Sequence, residues 1–276
     1  MAEATADRRL GPGRVYARLV GAEVRSAMEY PASFALGVVS SLLLTGLSLV
    51  GVAAVFTNVD ELSGWTAEEV VLLYGLASTG FYLTDLLVGQ LDELGLMIRT
   101  GTLDVLLLRP RRVLPQILAG DVDLRSLGKV AQGLVALAIG LSLADLAPSP
   151  AAVALRVLVA LVGATAIYAA VWIASISICF WLVDSREVSA AFTYGGRDMS
   201  SYPLGIYGQA LREVARFVIP LAFAAYYPTL GLVGRADPLG GSPALAWAGP
   251  LVGAVALAVA LAVWRTGLRA YRSTGA

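Results

Sequence analysis

From Phe34 to Phe56, and again from Val157 to Val183, the chain runs without a single charged residue. A hydrocarbon core of about 30 Å is crossed by roughly 20 apolar residues in a helix, so each run is long enough to span a bilayer. In lipid a backbone must satisfy its own hydrogen bonds, and for uninterrupted apolar runs that means helices. Further runs occur at Val70–Leu91, which holds one acid, Asp85, at Leu127–Ala144, and at Ala244–Trp264. With 58% hydrophobic residues, 14% charged residues and a mean hydropathy of +0.75, the chain falls outside the soluble range. The expected fold class is all-α: a polytopic membrane protein of six transmembrane helices forming one domain over residues 1–276.

The fifth span is ambiguous. Phe217–Gly234 is apolar but interrupted by Pro220 and Pro228, and a mixed polar stretch precedes it. Either residues 184–210 lie in the cytoplasm and residues 211–232 span, or the span comes earlier and the segment around residues 208–232 dips back from outside. Loop charges fix an orientation. With a cytoplasmic N-terminus and the later fifth span, every basic residue except Arg156 and Arg235 lies inside, while the first outer loop, NVDELSGWTAEE, carries only acids. The earlier span would move Arg212 and Arg216 outside. Both versions leave the two termini cytoplasmic.

Residues 1–33 pattern as a surface helix, with Arg14, Arg18 and Arg25 on one face and Tyr16, Leu19, Val20 and Val24 opposite. Pro31 separates it from the first span. Glu23 sits on its apolar side, where it could pair with an arginine or a partner protein.

Absences narrow the chemistry. Without histidine, and with Cys179 alone, the chain cannot assemble a Cys/His zinc site, a Ser-His-Asp triad or an internal disulfide. Gly128–Lys129 is followed by valine and lacks the upstream glycine of a phosphate-binding loop. Basic and acidic residues balance at twenty each, so no net positive charge draws nucleic acid.

The charged loop at residues 92–126, between the second and third spans, includes the sequence MIRTGTLDVLLLRPRRVL at residues 97–114. Leu91, Leu94 and Ile98 recur at helical spacing, and Gly101 can end that short helix. A second helix is expected to start at Thr102, with its hydroxyl as N-cap, and to run through LDVLLL until Pro110 restricts Arg109. The arginines alone would anchor such a segment at the membrane surface. The run IRTGTLDVLLLRP with PQILAGDVDLRSLGKVAQGL, and YPLGIYGQALREVARFVIPLAFAAYYPTLGLVG further on, resembles the membrane component of bacterial ABC exporters of the type-2 permease family.

That resemblance implies a coupling helix in a groove of a separate ATP-binding subunit. The matching positions are Gly101, Thr102, Leu103, Asp104, Leu107, Leu108, Arg109 and Pro110. Leu103 and the Leu106–Leu108 run would fill the groove, and Asp104 and Arg109 would touch its rim. It further implies a multi-pass protein of the bacterial inner membrane, paired with a second permease chain, identical or related, and surrounded by lipid. The chain itself would be no enzyme and hold no cofactor, since ATP and magnesium would bind the partner. The cargo would be a hydrophobic or amphipathic compound: a drug, antibiotic, lipid or peptide.

Asp85 is the one acid deep in a clear span. It could meet a cationic substrate or proton in a path with Tyr82 and Thr84, or hydrogen-bond those residues or a neighbouring helix. Trp172, Cys179 and Trp181 are expected to pack within the fourth span or anchor its end. The competing classes are an ion-coupled carrier or channel, which should carry more intramembrane charge, and a lipid-modifying enzyme, which needs a clustered site.

Overall fold

The computed structural model describes residues 31–110, 112–118, 125–182 and 186–272. The surface helix expected before residue 31, including Glu23, lies outside the described residues, as does Arg111. Among the described residues every regular element is helical, and one isolated bridge, Leu62 to Trp65, closes a turn. Four helical segments are long and apolar enough to cross a membrane, or five if one bent pair counts as a span. The chain is thus an all-α, multi-pass membrane protein.

Helix α1 (Pro31–Phe56) begins at Pro31, where φ is preset for a helix start. It turns an apolar row, Leu36, Val39, Leu43, Leu47 and Val50, away from the rest of the chain. Helix α2 (Ala67–Val88) is the hub, with nearly every residue from Val70 to Asp85 buried. Its start is fixed by a capping box: Thr66 accepts from the Glu69 backbone N–H while the Glu69 carboxylate accepts from that of Thr66. These two bonds place the start three residues earlier than apolarity alone suggests.

After a 3-10 turn at Gly89–Glu93, three short helices form a compact knuckle: α3 (Leu94–Arg99), α4 (Thr102–Leu107) and α5 (Val113–Leu118). The chain then returns along α2 as α6 (Arg125–Leu143). This antiparallel pair is closed by glycines. A Cβ at Gly75 would lie 2.5 Å from the Leu137 Cα, one at Gly140 2.5 Å from the Leu72 Cα, and one at Gly133 2.8 Å from the Thr79 Cα. In lipid, where burying apolar surface supplies little drive, such close backbone packing is what holds helices together.

Helix α7 (Pro150–Ile176), prolonged by a 3-10 turn to Phe180, starts earlier than the apolar run because Pro150 occupies its first turn. Arg156, expected in a loop, is therefore helical. Helix α11 (Gly249–Ala270) runs parallel to α7: Gly163 meets Gly249 near one end, and Phe180 meets Gly267 and Trp264 near the other.

The bundle has two distinct ends. At the loop end, Ala147 N–H bonds Leu232 C=O at 3.1 Å, and Arg235 pairs with Glu69 at 2.6 Å. At the knuckle end, Asp92 accepts from the Trp172 indole at 2.7 Å and from Tyr194 at 3.2 Å.

These contacts place both ends of the segment that follows α8 at the loop end. Helix α8 (Arg186–Ser200) leaves the knuckle end, where Ser189 and Ser175 hydroxyls meet at 3.1 Å. The chain reaches the loop end by Gly205, which packs on Ser63. The segment that follows joins α9 (Gln209–Glu213), a π-helical turn at Val214–Val218, a 3-10 turn at Leu221–Phe223 and α10 (Tyr226–Val233). Its two arms bend by 73° and both outer ends return to the loop end, so it folds as a bent hairpin. Its apex residue Leu221 touches Gly196 partway down α8. Arg212 and Arg216 consequently lie towards the loop end, not beside the knuckle arginines. Hydropathy alone misplaces α8, because its inward-facing Ser189, Thr193 and Ser200 satisfy their hydroxyls within the bundle.

Candidate functional site

The knuckle is built around one inward leucine. Leu103 is 0% exposed and joins Leu91, Leu94, Ile98, Val113 and Ile117 in the core. The turn that carries it needs Gly101, whose φ of 70° is the left-handed conformation glycine adopts without strain. Thr102 is the first helical residue rather than the N-cap, and its hydroxyl meets that of Thr100 at 2.9 Å. Gly101 occupies the cap position, so the expected side-chain cap does not form.

With Leu103 inside, the same helix turns other residues outward: Val105, Leu107 and, at 87% exposure, Leu108. Arg109 and Arg112 are exposed beside them. Leu103 is thus buried within the knuckle, whereas Leu107 and Leu108 form an exposed apolar tip. Asp104 accepts a hydrogen bond from the Tyr271 hydroxyl at 3.1 Å, tying the knuckle to the end of α11. Burial and the adjacent Asp104 carboxylate raise the Tyr271 phenol above its ordinary range. The Gln116 amide donates to the Leu106 carbonyl at 3.3 Å, bracing α5 on α4.

Asp85, Tyr82 and Thr84 point to three different neighbours. The Asp85 carboxylate accepts from Lys129 at 2.7 Å and from Ser126 at 3.0 Å, both on α6. The Thr84 hydroxyl donates to the Gly80 carbonyl and across to Thr165 of α7. The Tyr82 hydroxyl faces α8 and accepts from Arg197 at 3.1 Å. Trp172 and Cys179 are buried in or just after α7, while Trp181 is exposed at its end.

The residue that sequence reading misplaced is Arg197, expected in a cytoplasmic loop. Its guanidinium lies against the middle of α2, within reach of Tyr74 and Ser78 at 3.5 Å and over the rings of Tyr74 and Tyr82. At 1.5 Å per residue, Ser78 lies about 16 Å along α2 from its start at Ala67. Among the described residues the carboxylate paired with Arg197 is that of its neighbour Asp198, at 3.1 Å. The available signal was the spacing of Tyr74, Ser78 and Tyr82, one helical face of hydrogen-bonding groups in an otherwise apolar span.

A cavity of about 730 Å³ opens where α7, α11 and the bent hairpin meet. Val171, Phe192, Phe217, Pro220, Val255 and Val259 line it, and Arg216 stands at its edge, bonded to Tyr227.

An interior of apolar helices, a charged knuckle at one end and a bent hairpin at the other make a membrane-transport component the natural comparison. No curated protein and no solved structure matches the chain. A family model described as ABC-2 family transporter protein matches residues 42–275 of the 276, which takes in the knuckle, the hairpin and every helix except residues 31–41 of α1, and the chain belongs to the ABC-2 transporter permease family.

Proposed function

We propose that the chain is the permease subunit of an ATP-driven exporter, moving a hydrophobic or amphipathic compound across the bacterial cell membrane while a separate P-loop subunit hydrolyses ATP. The observation that carries this reading is the knuckle tip. Val105, Leu107 and Leu108 are exposed, flanked by Arg109, on a helix locked from below by Leu103. Apolar side chains held outward on a rigid mount beyond the spans suit a protein groove, where buried anchors supply the affinity and rim charges the selectivity. Movement of that groove would pass through Leu103 into α2 and through the Asp104–Tyr271 bond into α11.

Charge supports the orientation. The knuckle end carries Arg99, Arg109, Arg112, Arg186, Arg269 and Arg272, which suits the cytoplasm. Counting α1 and α8 with the four apolar segments gives six spans. The apolar row on α1 and the outward face of α8 are the surfaces on which a second permease chain would close.

The test is gentle purification of the tagged chain from its native membrane with identification of what accompanies it. The expected result is a stoichiometric P-loop ATPase that is lost when Leu107 and Leu108 are both changed to Asp, with the permease still inserted. An ATPase retained by that variant, or a permease alone under several mild conditions, would sink the assignment.

A further inference from the structure

Arg197 invites a function beyond holding two helices together. An arginine alongside the middle of a span is costly in hydrocarbon and needs a compensating group. Here the compensation is incomplete. Tyr74, Ser78 and Tyr82 offer neutral hydroxyls, and the guanidinium Nε is buried without a hydrogen-bond partner among the described residues. The paired carboxylate, Asp198, is 69% exposed, while the Arg197 side chain keeps 20% of its own surface open. An exposed carboxylate at that depth cannot face lipid tails, so this side of α8 borders water or another chain. Gly195, one turn before Asp198, has no atom within 4 Å of the position of a Cβ, which leaves room on the Asp198 side of α8.

We propose that Arg197 is the anion-recognising residue of the translocation path, its guanidinium taking the carboxylate or phosphate group of an amphipathic substrate and Asp198 serving as the counterion that the substrate displaces. The substrate class rests on the permease reading above. Arginine suits this task because its planar fork binds a carboxylate or phosphate through two parallel hydrogen bonds and never loses its charge. The two tyrosine rings hold the fork from behind, so little side-chain freedom remains to be lost on binding.

The test uses the full-length chain in nanodiscs of phosphatidylcholine, without any ATPase. The probes are pyrene-labelled dodecanoate, its methyl ester and the matching trimethylammonium amphiphile, with binding followed by fluorescence. Wild type is expected to prefer the carboxylate to the ester by roughly tenfold or more, the scale of one charge-assisted contact. Arg197→Gln should abolish that preference, Arg197→Lys should retain part of it, and Asp198→Asn should tighten carboxylate binding by removing the competing anion. Asp198 is exposed, so its variant reads the site even if Arg197→Gln fails to fold.

A wild type without charge preference, a preference that survives Arg197→Gln, or weaker carboxylate binding by Asp198→Asn overturns the proposal. Adding phosphatidylglycerol identifies the source of the anion: competition assigns it to a bilayer lipid, lack of competition to a free amphiphile, and each agrees with an anion site. Because no ATPase is present, a negative result here leaves the knuckle assignment standing, and loss of the ATPase partner leaves this one standing.

Discussion

Replacing Leu103 with Ala should loosen the knuckle while the same change at Leu108 should not. Leu103 is 0% exposed and Leu108 is 87% exposed, although both lie in or directly beside the same six-residue helix. Truncating a fully buried leucine costs about 3–5 kcal/mol, from lost transfer free energy plus the cavity left behind. The knuckle is small and can partly collapse, so we take about 3 kcal/mol, which raises the locally opened population roughly a hundredfold. At Leu108 the cost should stay within about 0.5 kcal/mol, roughly a twofold change. Hydrogen–deuterium exchange of peptides covering residues 94–108, in nanodiscs, reads the opening directly. Equal exchange in the two variants, or unchanged exchange in Leu103→Ala, would refute the reasoning that one leucine anchors the knuckle and the other is free to bind.

Further outcomes follow from other contacts. Lys129→Met leaves the Asp85 carboxylate, 7% exposed, with Ser126 as its remaining hydrogen-bond partner. A double-mutant cycle with Asp85→Asn should show coupling near 1 kcal/mol in thermal unfolding, modest because Lys129 is partly exposed, and zero coupling would remove the pair from the account. In a Cys179→Ser background, Gly208→Cys should label from the same side of the membrane as Gly240→Cys and from the side opposite Arg112→Cys; labelling of position 208 with 112 would contradict a re-entrant placement of the hairpin. Tyr271→Phe should speed exchange across residues 100–108 by a few-fold, the scale of about 1 kcal/mol for one hydrogen bond. A phenol raised above its usual range by folding stabilises while protonated, so the tether's contribution is full below the ordinary phenol range and fades as pH rises through the folded value. Protection of residues 100–108 in wild type should therefore hold at neutral pH, and an early loss there would exclude the Tyr271–Asp104 bond.

Whatever depends on local periodicity and on the cost of burying charge is legible in the order of the residues alone. Four apolar segments, the helix over Pro31–Phe56 and the break at Gly101 follow from apolar length and glycine geometry, with starts displaced where Thr66 caps α2 and Pro150 opens α7, and with α11 running Gly249–Ala270 rather than the expected Ala244–Trp264. The inward row Leu91, Leu94 and Ile98 was equally readable. Which leucine of the Leu103–Leu108 run faces inward was not, because that depends on where α5 and the end of α11 return to pack. Nor could α8 be placed, since its arginine and serines are tolerable at depth only when partners from other helices meet them. A hydropathy window prices each side chain as if it faced solvent or lipid. The tertiary structure decides that Arg197 instead faces two tyrosines, and that one partnership moves a whole helix from an expected loop into the bundle.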